Sequence, residues 1–363
     1  MQRLKFIDAL RGIAIIMVIL HHSHPNFAGV DNYFLPVYLD DILQNGDKGV
    51  TLFFLMSAYT LCLSFGKKKE IEYKPVRNYF LRRIFRIVPL YYFTILMVSL
   101  IQINTLSAVS VAANVFFVHG LNPNWTNSTI PGGWTIGIEA LFYLLFPFLF
   151  YRIKSVYGAI NITLAFIVAA KIVTSVMSKN PPLKDGVWWS VFVYENIISQ
   201  LPVFLMGICL YHISNHKSDS TQLFKSYKTY CFIAALILVH LSGGNLFKAH
   251  YLFAIAFAFL AYGLSVYPTS ILVNKFTIWV GKLSYSLYLV HLLIANLLVK
   301  YNLNHYGSNA SAEVFIRFAV IFSVSVCISW VTYTLIEVPG QELGTRIIKK
   351  LESKRKVQLT FPA

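Results

Sequence analysis

The chain has 363 residues, of which 56% are hydrophobic and 13% are charged, and its formal net charge is +16. Soluble domains carry about 25% charged residues, so this composition excludes an ordinary soluble protein and indicates a polytopic membrane protein. We expect no nucleic-acid partner, because Lys and Arg cluster between apolar segments and near the C-terminus, where they set membrane topology. The four cysteines lie within apolar runs without metal-ligand spacing, so no metal site is expected.

Apolar segments of membrane-spanning length predict an all-α bundle of about ten transmembrane helices. In chain order they cover about 7–24, 48–66, 82–104, 135–153, 156–177, 190–213, 228–243, 248–267, 278–300 and 312–336. The stretch 106–120 is too short for a full span and predicts an interfacial or re-entrant helix. No cleavable signal peptide is expected, because Asp8 and Arg11 interrupt the first apolar run. We expect residues 1–340 to form one transmembrane domain and residues 341–363 a basic cytoplasmic tail.

The distribution of basic residues predicts the orientation of the bundle. Segments 67–86 and 346–356 are rich in Lys and Arg, whereas segment 105–134 contains neither. Cytoplasmic loops carry the excess of positive charge in membrane proteins. Both termini are therefore predicted to be cytoplasmic. The expected location is a bacterial cytoplasmic (inner) membrane, which the chain crosses several times in contact with membrane lipid.

The first predicted helix carries ionisable residues that are costly to place in a bilayer. Such a residue is a functional hypothesis by default, because its burial costs several kcal/mol. Helical geometry places Asp8, Arg11 and His22 on nearly the same face, whereas His21 points about 100° away from His22. Two interpretations stay open for each group. Asp8 and Arg11 form either a structural ion pair or part of a site, and His22 is either an interfacial histidine or a catalytic one.

Arginines also gather at the predicted inner mouth of the third span, in "RRIFRIVP". Arg83 and Arg86 share a helical face, and Arg82 lies beside them. They are either ordinary topology anchors or a site for a phosphorylated ligand, since the guanidinium fork suits phosphate.

Two later helices carry polar stripes. "GGWTIGIEALFY" places Glu139 near the start of the fourth span, with Tyr143 one turn further on the same side. "SYSLYLVH" aligns Ser284, Tyr288 and His291 on one face of an otherwise apolar helix. A polar contact between helices and a functional site are both compatible with the second stripe. Glu337, in the closing "IEVP", has either a structural or a catalytic role.

In this order, "FIDALRG" followed by His22, "FFLMSAYTL", "RRIFRIVP", "GGWTIGIEALFY", "SYSLYLVH" and "IEVP" resemble the acyltransferase 3 family of bacterial membrane O-acyltransferases. The resemblance covers nearly the whole chain. Two positions depart from the family pattern: Thr135 stands where Ser is common, and Ala58 stands where Gly usually follows Ser57. Thr135 keeps the hydroxyl, whereas Ala58 puts a close backbone approach at that position in doubt.

The resemblance implies a ten-helix core that moves an acyl group, usually acetyl, from cytoplasmic acyl-CoA to a hydroxyl of a surface glycan or glycolipid. The implied catalytic residues are His22 as general base, with Glu139, Asp8 and Arg11, and no metal is required. The arginines implied to bind the acetyl-CoA donor are Arg83, Arg86 and Arg82. Substrate binding or oxyanion stabilisation falls to Trp134, Thr135, Tyr143, Ser57, Ser284, Tyr288 and His291.

Three alternatives stay open at this point. Direct transfer and a covalent acetyl-histidine relay are both compatible with the residues. A transporter or flippase for a glycan or lipid precursor would use the same intramembrane charges, including Lys171, Lys282 and Arg317, without any chemistry. A non-catalytic membrane sensor would tolerate substitution of His22.

Overall fold

A computed structural model describes residues 4–29, 34–101, 106–181, 186–215, 248–307 and 310–360 of the chain. Within these ranges the chain forms helices, turns and loops, and no β-strand. The first seven helices are α1 Lys5–His22, α2 Val37–Gln44, α3 Lys48–Lys68, α4 Pro75–Ile101, α5 Ala108–Val115, α6 Trp134–Arg152 and α7 Val156–Lys179. The others are α8 Gly186–Glu195, α9 Ile197–Asn215, α10 Ala249–Val266, α11 Lys275–Lys300, α12 Ala310–Thr332 and α13 Val338–Thr360.

Eight helical stretches within the described ranges are long and apolar enough to cross a membrane, which confirms the predicted all-α, multi-pass fold. They account for eight of the ten predicted spans. The first predicted span is the helix α1, which Lys5, Asp8 and Arg11 make too charged to count among the eight. The predicted span 228–243 lies outside the described residues.

The helix α4 begins seven residues before the predicted start of the third span. Pro75 occupies its first position, where the missing N–H costs nothing and the fixed φ angle already suits a helix. The segment 75–81, which precedes the predicted span, is therefore helical as well, and the arginines that follow it lie within a continuous helix.

The predicted basic tail begins with a regular helix. A π-helical turn, Tyr333–Glu337, leads into α13, which packs against α4. Glu352 of α13 accepts hydrogen bonds from the Asn78 side chain at 2.8 Å and from the Tyr73 backbone N–H at 3.0 Å, and Arg77 lies 3.3 Å away. These bonds attach α13 to the N-terminal end of α4.

The predicted span 190–213 is interrupted at Asn196, between α8 and α9. The Asn196 amide donates to the carbonyls of Phe192 and Val193 and accepts from the Ser199 N–H at 3.1 Å. An asparagine side chain can replace backbone helical hydrogen bonds in this way, so the helix ends and restarts. Glu195 consequently stands at the end of a short helix instead of in the middle of a long one.

The segment that precedes α6 folds back against the bundle, as predicted for a re-entrant element. Tyr91 of α4 donates to Asn114 at 2.8 Å, and the Asn114 amide donates to Thr129 at 3.1 Å. His119 is fully buried, and its Nε2 lies 2.9 Å from the Gly133 carbonyl. These hydrogen bonds attach the segment to α4 and to the start of α6.

Backbone contact between α1 and α11 fixes the centre of the bundle. A Cβ atom on Gly281 would lie 1.7 Å from the Asp8 carbonyl oxygen, and one on Gly12 would lie 2.1 Å from the Thr277 carbonyl oxygen. Only glycine allows so close an approach, and small residues at helix crossings are typical of membrane bundles. This crossing brings the C-terminal end of α1, with His22, beside His291 of α11, with ring centroids 5.2 Å apart.

Candidate functional site

Three cavities follow one another along α1. The basic cavity, about 330 Å³, is lined by Asp8, Arg11, Arg83, Arg86, Ser284, Lys282 and Glu337 among others. The neck, about 70 Å³, is lined by Arg11, Ser57, Arg83, Arg86, Thr135, Glu139, Tyr143, Ser284 and Tyr288. The histidine cavity, about 480 Å³, is lined by His21, His22, Trp134, Glu195 and Tyr288. Neighbouring cavities share lining residues, so the three lie in a row from the arginines to His22.

The basic cavity concentrates positive charge on two helices. Arg11 projects from α1 and donates to Thr60 at 3.1 Å, whereas Arg83 and Arg86 project from α4. The Arg83 guanidinium lies 5.6 Å from the centre of the Tyr143 ring, within cation–π range. Glu337 also lines this cavity and accepts a hydrogen bond from the Ser286 hydroxyl at 3.0 Å. The cavity can therefore hold an anionic ligand with several phosphate oxygens.

Arg82 is the one predicted donor-binding arginine that does not line these cavities. Its guanidinium forms an ion pair with Glu72 at 2.7 Å. It lies one residue from Arg83 on the helix, so its side chain leaves the helix about 100° away. Arg82 stabilises the connection before α4 rather than the cavity.

A carboxylate with two hydroxyl donors forms the wall of the neck. Ser57 of α3 and Tyr143 of α6 both donate to Oε1 of Glu139, each at 2.5 Å. In the described structure Glu139 and His22 do not contact each other, because the two hydroxyls bond Glu139 and His22 bonds the Val18 carbonyl. Glu139 instead faces the neck together with the arginines.

The boundary between the neck and the histidine cavity is Tyr288. Its hydroxyl donates to the carbonyl of Gly132 at 3.1 Å, and Gly132 has a φ of 70°, a conformation that glycine adopts without strain. Thr135 also donates to the Gly132 carbonyl, at 3.3 Å. The backbone of the two glycines before Trp134 therefore holds Tyr288 and Thr135 in place. Trp134, which follows these glycines, forms part of the wall of the histidine cavity.

His22 is held by its own helix. Its Nδ1 lies 2.8 Å from the carbonyl oxygen of Val18. A carbonyl only accepts, so Nδ1 carries the proton and, in the neutral ring, Nε2 has a free lone pair. The Val18 carbonyl thus fixes the tautomer of the His22 ring, a role that a carboxylate plays in many other sites. The geometry makes His22 a hydrogen-bond acceptor, and hence a candidate base, in the histidine cavity.

Two further histidines, His291 and His21, lie beside His22. The Nδ1 of His291 donates to the Tyr288 carbonyl at 2.8 Å, and its Nε2 is buried without a hydrogen-bond partner in the described structure. The Nδ1 of His21 donates to the Leu43 carbonyl at 2.8 Å, and His21 also lines the cavity. Although His21 leaves α1 on a different face from His22, both line this cavity, because residues after α1, such as Phe27, form part of its wall.

Glu195 is a site residue that the motifs did not single out. It lines the histidine cavity and is 7% exposed, and the Asn127 amide lies 2.9 and 3.2 Å from its two carboxylate oxygens. The signal was a carboxylate inside the predicted apolar span 190–213, which by itself marks a functional candidate.

Arg317 and Lys171 do not line any of the three cavities. Arg317 is 2% exposed and donates to the carbonyls of Ser23 and Asn304, with Glu313 at 3.2 Å, so it fixes the turn after α1. Lys171 is exposed on the surface of the helix α7. Among the described residues, no group of three His, Cys, Asp or Glu side chains is placed to hold a metal ion.

Comparison with known proteins places this architecture in a family. A family model described as an acyltransferase domain, acyltransferase 3, matches residues 4–334. The match includes α1 to α12 and every lining residue discussed above except Glu337. No curated protein and no solved structure matches the chain. Because the family model matches nearly the whole chain, the protein is a multi-pass membrane protein that belongs to the acyltransferase 3 family of acyltransferases.

Proposed function

We propose that this acyltransferase moves an acetyl group from cytoplasmic acetyl-CoA to a hydroxyl of a glycan or glycolipid on the other side of a bacterial inner membrane. The observation that carries the proposal is the path from the arginines of the basic cavity, through the neck, to the free Nε2 of His22. The positive-inside distribution puts the arginines on the cytoplasmic side and His22 on the other.

The donor enters through the basic cavity. Arg83 and Arg86, together with Arg11, bind the phosphates of coenzyme A, since arginine forks match phosphate geometry. The pantetheine arm extends into the neck and carries the thioester towards Tyr288. Because the neck holds only about 70 Å³, side chains at this boundary must move to let the arm pass.

The chemistry takes place where the neck meets the histidine cavity. The acceptor hydroxyl donates its proton to Nε2 of His22 while its oxygen attacks the thioester carbonyl carbon. The resulting oxyanion collapses, the C–S bond breaks, and the proton on His22 passes to the departing thiolate of coenzyme A. The hydroxyls of Tyr288 and Thr135, which donate to the Gly132 carbonyl, can rotate and donate to the oxyanion instead.

Glu139 keeps the neck polar and positions its hydroxyls. Because Ser57 and Tyr143 both donate to it, the carboxylate orients two side chains that face the path of the pantetheine arm. Its negative charge also balances part of the arginine charge, which keeps the neck from trapping the donor phosphates.

The experiment is acyl transfer from one side of the membrane to the other. Vesicles with a defined orientation receive isotope-labelled acetyl-CoA on the cytoplasmic face only, and label is measured on glycan at the opposite face. We expect label with the wild type and none with His22→Ala. The matched control is His212→Ala, because His212 also contacts a backbone carbonyl, of Ile153 at 3.2 Å, but lines none of the three cavities.

The outcomes separate the alternatives. Label on the glycan that persists in His22→Ala removes His22 as the base. No label with either protein, despite normal folding, favours the transporter alternative or a different acyl donor. Label retained on the protein of the wild type when acceptor is absent supports the covalent histidine relay.

A further inference from the structure

Two lysines line the basic cavity in addition to its arginines. They are Lys67, the penultimate residue of α3, and Lys282 of α11. Arg11, Arg83 and Arg86 line both the basic cavity and the neck, whereas the two lysines line the basic cavity alone. Both lysines are exposed. The arginines therefore stand at the inner end of this cavity, next to the neck, and the lysines stand at its mouth.

No carboxylate compensates the charge of the two lysines. Among the described residues neither lysine forms an ion pair. The two carboxylates that line the cavity, Asp8 and Glu337, interact electrostatically with the arginines instead. The described lining thus combines five cations with two carboxylates, and part of the positive excess lies at the mouth. An anionic group of a ligand can bind there without displacing a protein partner.

Both lysines are attached to the rigid centre of the bundle. Lys282 follows Gly281, where α11 meets the backbone of α1 at a distance that only glycine allows. The helix α3, which carries Lys67, also packs against α1. The two lysines therefore enter one cavity from two different helices, and the packing of both helices on α1 fixes their positions.

The order of groups along coenzyme A matches the order of these side chains. When the thioester arm extends into the neck, the diphosphate reaches the arginines and the 3′-phosphoadenosine lies towards the mouth. The 3′-phosphate is a monoester, which carries about −1.5 to −2 charge at pH 7. A lysine ammonium binds such a group as a compact point charge with three hydrogen-bond donors. The group with the highest charge density on the donor thus meets the two unpaired lysines.

We propose that Lys67 and Lys282 bind the 3′-phosphate of coenzyme A and make the enzyme select this donor over dephospho-coenzyme A. The inference rests on the proposed function, because it requires the basic cavity to bind coenzyme A. It adds a specificity that the arginines do not provide, since the diphosphate that they bind is common to both molecules.

The test measures binding without acyl transfer. The full-length protein in phosphatidylcholine nanodiscs is titrated with coenzyme A and with dephospho-coenzyme A by isothermal titration calorimetry. We expect the wild type to bind coenzyme A about tenfold more tightly, because hydrogen bonds to a charged group have an effect of this size. In the double variant Lys67→Gln, Lys282→Gln this ratio should fall below about twofold, while the affinity for dephospho-coenzyme A stays at the wild-type value.

The matched control is Lys154→Gln. Lys154 is an exposed lysine on the predicted cytoplasmic side that lines none of the three cavities, so the variant removes the same charge and should keep the wild-type ratio. Equal loss of selectivity in this control would show that net charge, rather than the two lysines, causes the preference, and would overturn the inference.

The remaining outcomes separate this inference from the proposed function. Equal binding of the two ligands by the wild type, an unchanged ratio in the double variant, or a parallel loss of affinity for both ligands would overturn the inference and leave the proposed function standing. Absence of coenzyme A binding by the wild type would contradict both. Selective binding of coenzyme A without acetyl transfer in the vesicle assay would contradict only the proposed function.

Discussion

Substitution of Gly281 by alanine tests whether the crossing of α1 and α11 sets the catalytic geometry. The added Cβ would lie 1.7 Å from the Asp8 carbonyl oxygen and 2.6 Å from its carbonyl carbon, both backbone atoms that no rotamer change can move. The helices must therefore separate by about 1.5 Å to restore van der Waals contact. A misplacement of about 1 Å can cost 10²-fold in rate. We expect kcat/KM to fall about 100-fold.

Overpacking of this kind also destabilises the fold, by about 1–3 kcal/mol. The assay combines thermal unfolding in detergent with acetyl transfer in vesicles at a temperature where the variant stays folded. Gly158→Ala is the control, because the nearest atom to its Cβ would be the Ser155 hydroxyl at 3.3 Å and α7 lies away from the cavities. Wild-type transfer by a folded Gly281→Ala protein would refute the idea that α1 and α11 must approach at backbone distance.

Three other predictions test the cavity walls and the turn after α1. Arg83→Ala should raise the KM for acetyl-CoA at least tenfold by removing a phosphate partner, whereas Arg82→Ala, outside the cavities, should change it less than twofold; equal effects would contradict this assignment. Tyr143→Phe should lose less activity than Glu139→Ala in the transfer assay, because Ser57 remains as a donor to the carboxylate; a larger loss would place the tyrosine in the chemistry. Arg317→Ala should cost about 3 kcal/mol in the free energy of unfolding by removing the guanidinium that pairs with the buried Glu313 carboxylate, and an unchanged melting temperature would argue against a structural role.

The sequence predicted the membrane fold and most of the path because both follow from helical periodicity. Arg11 and His22 lie about three turns apart and Asp8 lies about one turn before Arg11, so their common face follows from 3.6 residues per turn. The predicted span 190–213 is present, but hydropathy averages over the local break at Asn196 and did not reveal it. Glu195 was missed because it belongs to none of the recognised motifs, although a carboxylate within an apolar span is itself a signal.

Helical periodicity cannot predict contacts between segments that are far apart in the sequence. The ion pair that removes Arg82 from the cavity depends on Glu72, in the turn before α4. The place of His21 depends on Leu43, at the end of α2. Helical geometry predicted the angle at which His21 and His22 leave α1, but it could not show that the chain after α1 brings both to one cavity. Of the two partners of Glu139, Tyr143 lies one turn further along the same helix and follows from periodicity, whereas Ser57 comes from α3 and does not.

The glycine crossing has a consequence for how the protein is made. α1 precedes α11 in the chain and carries Lys5, Asp8 and Arg11, so a nascent α1 enters lipid less readily than the later apolar helices. Its most extensive packing is against α11, which is synthesised more than two hundred residues later. The final depth of α1 is therefore fixed only when α11 arrives. A chain that lacks α11 therefore has neither the basic cavity nor the neck, because Ser284 and Tyr285 of α11 line both.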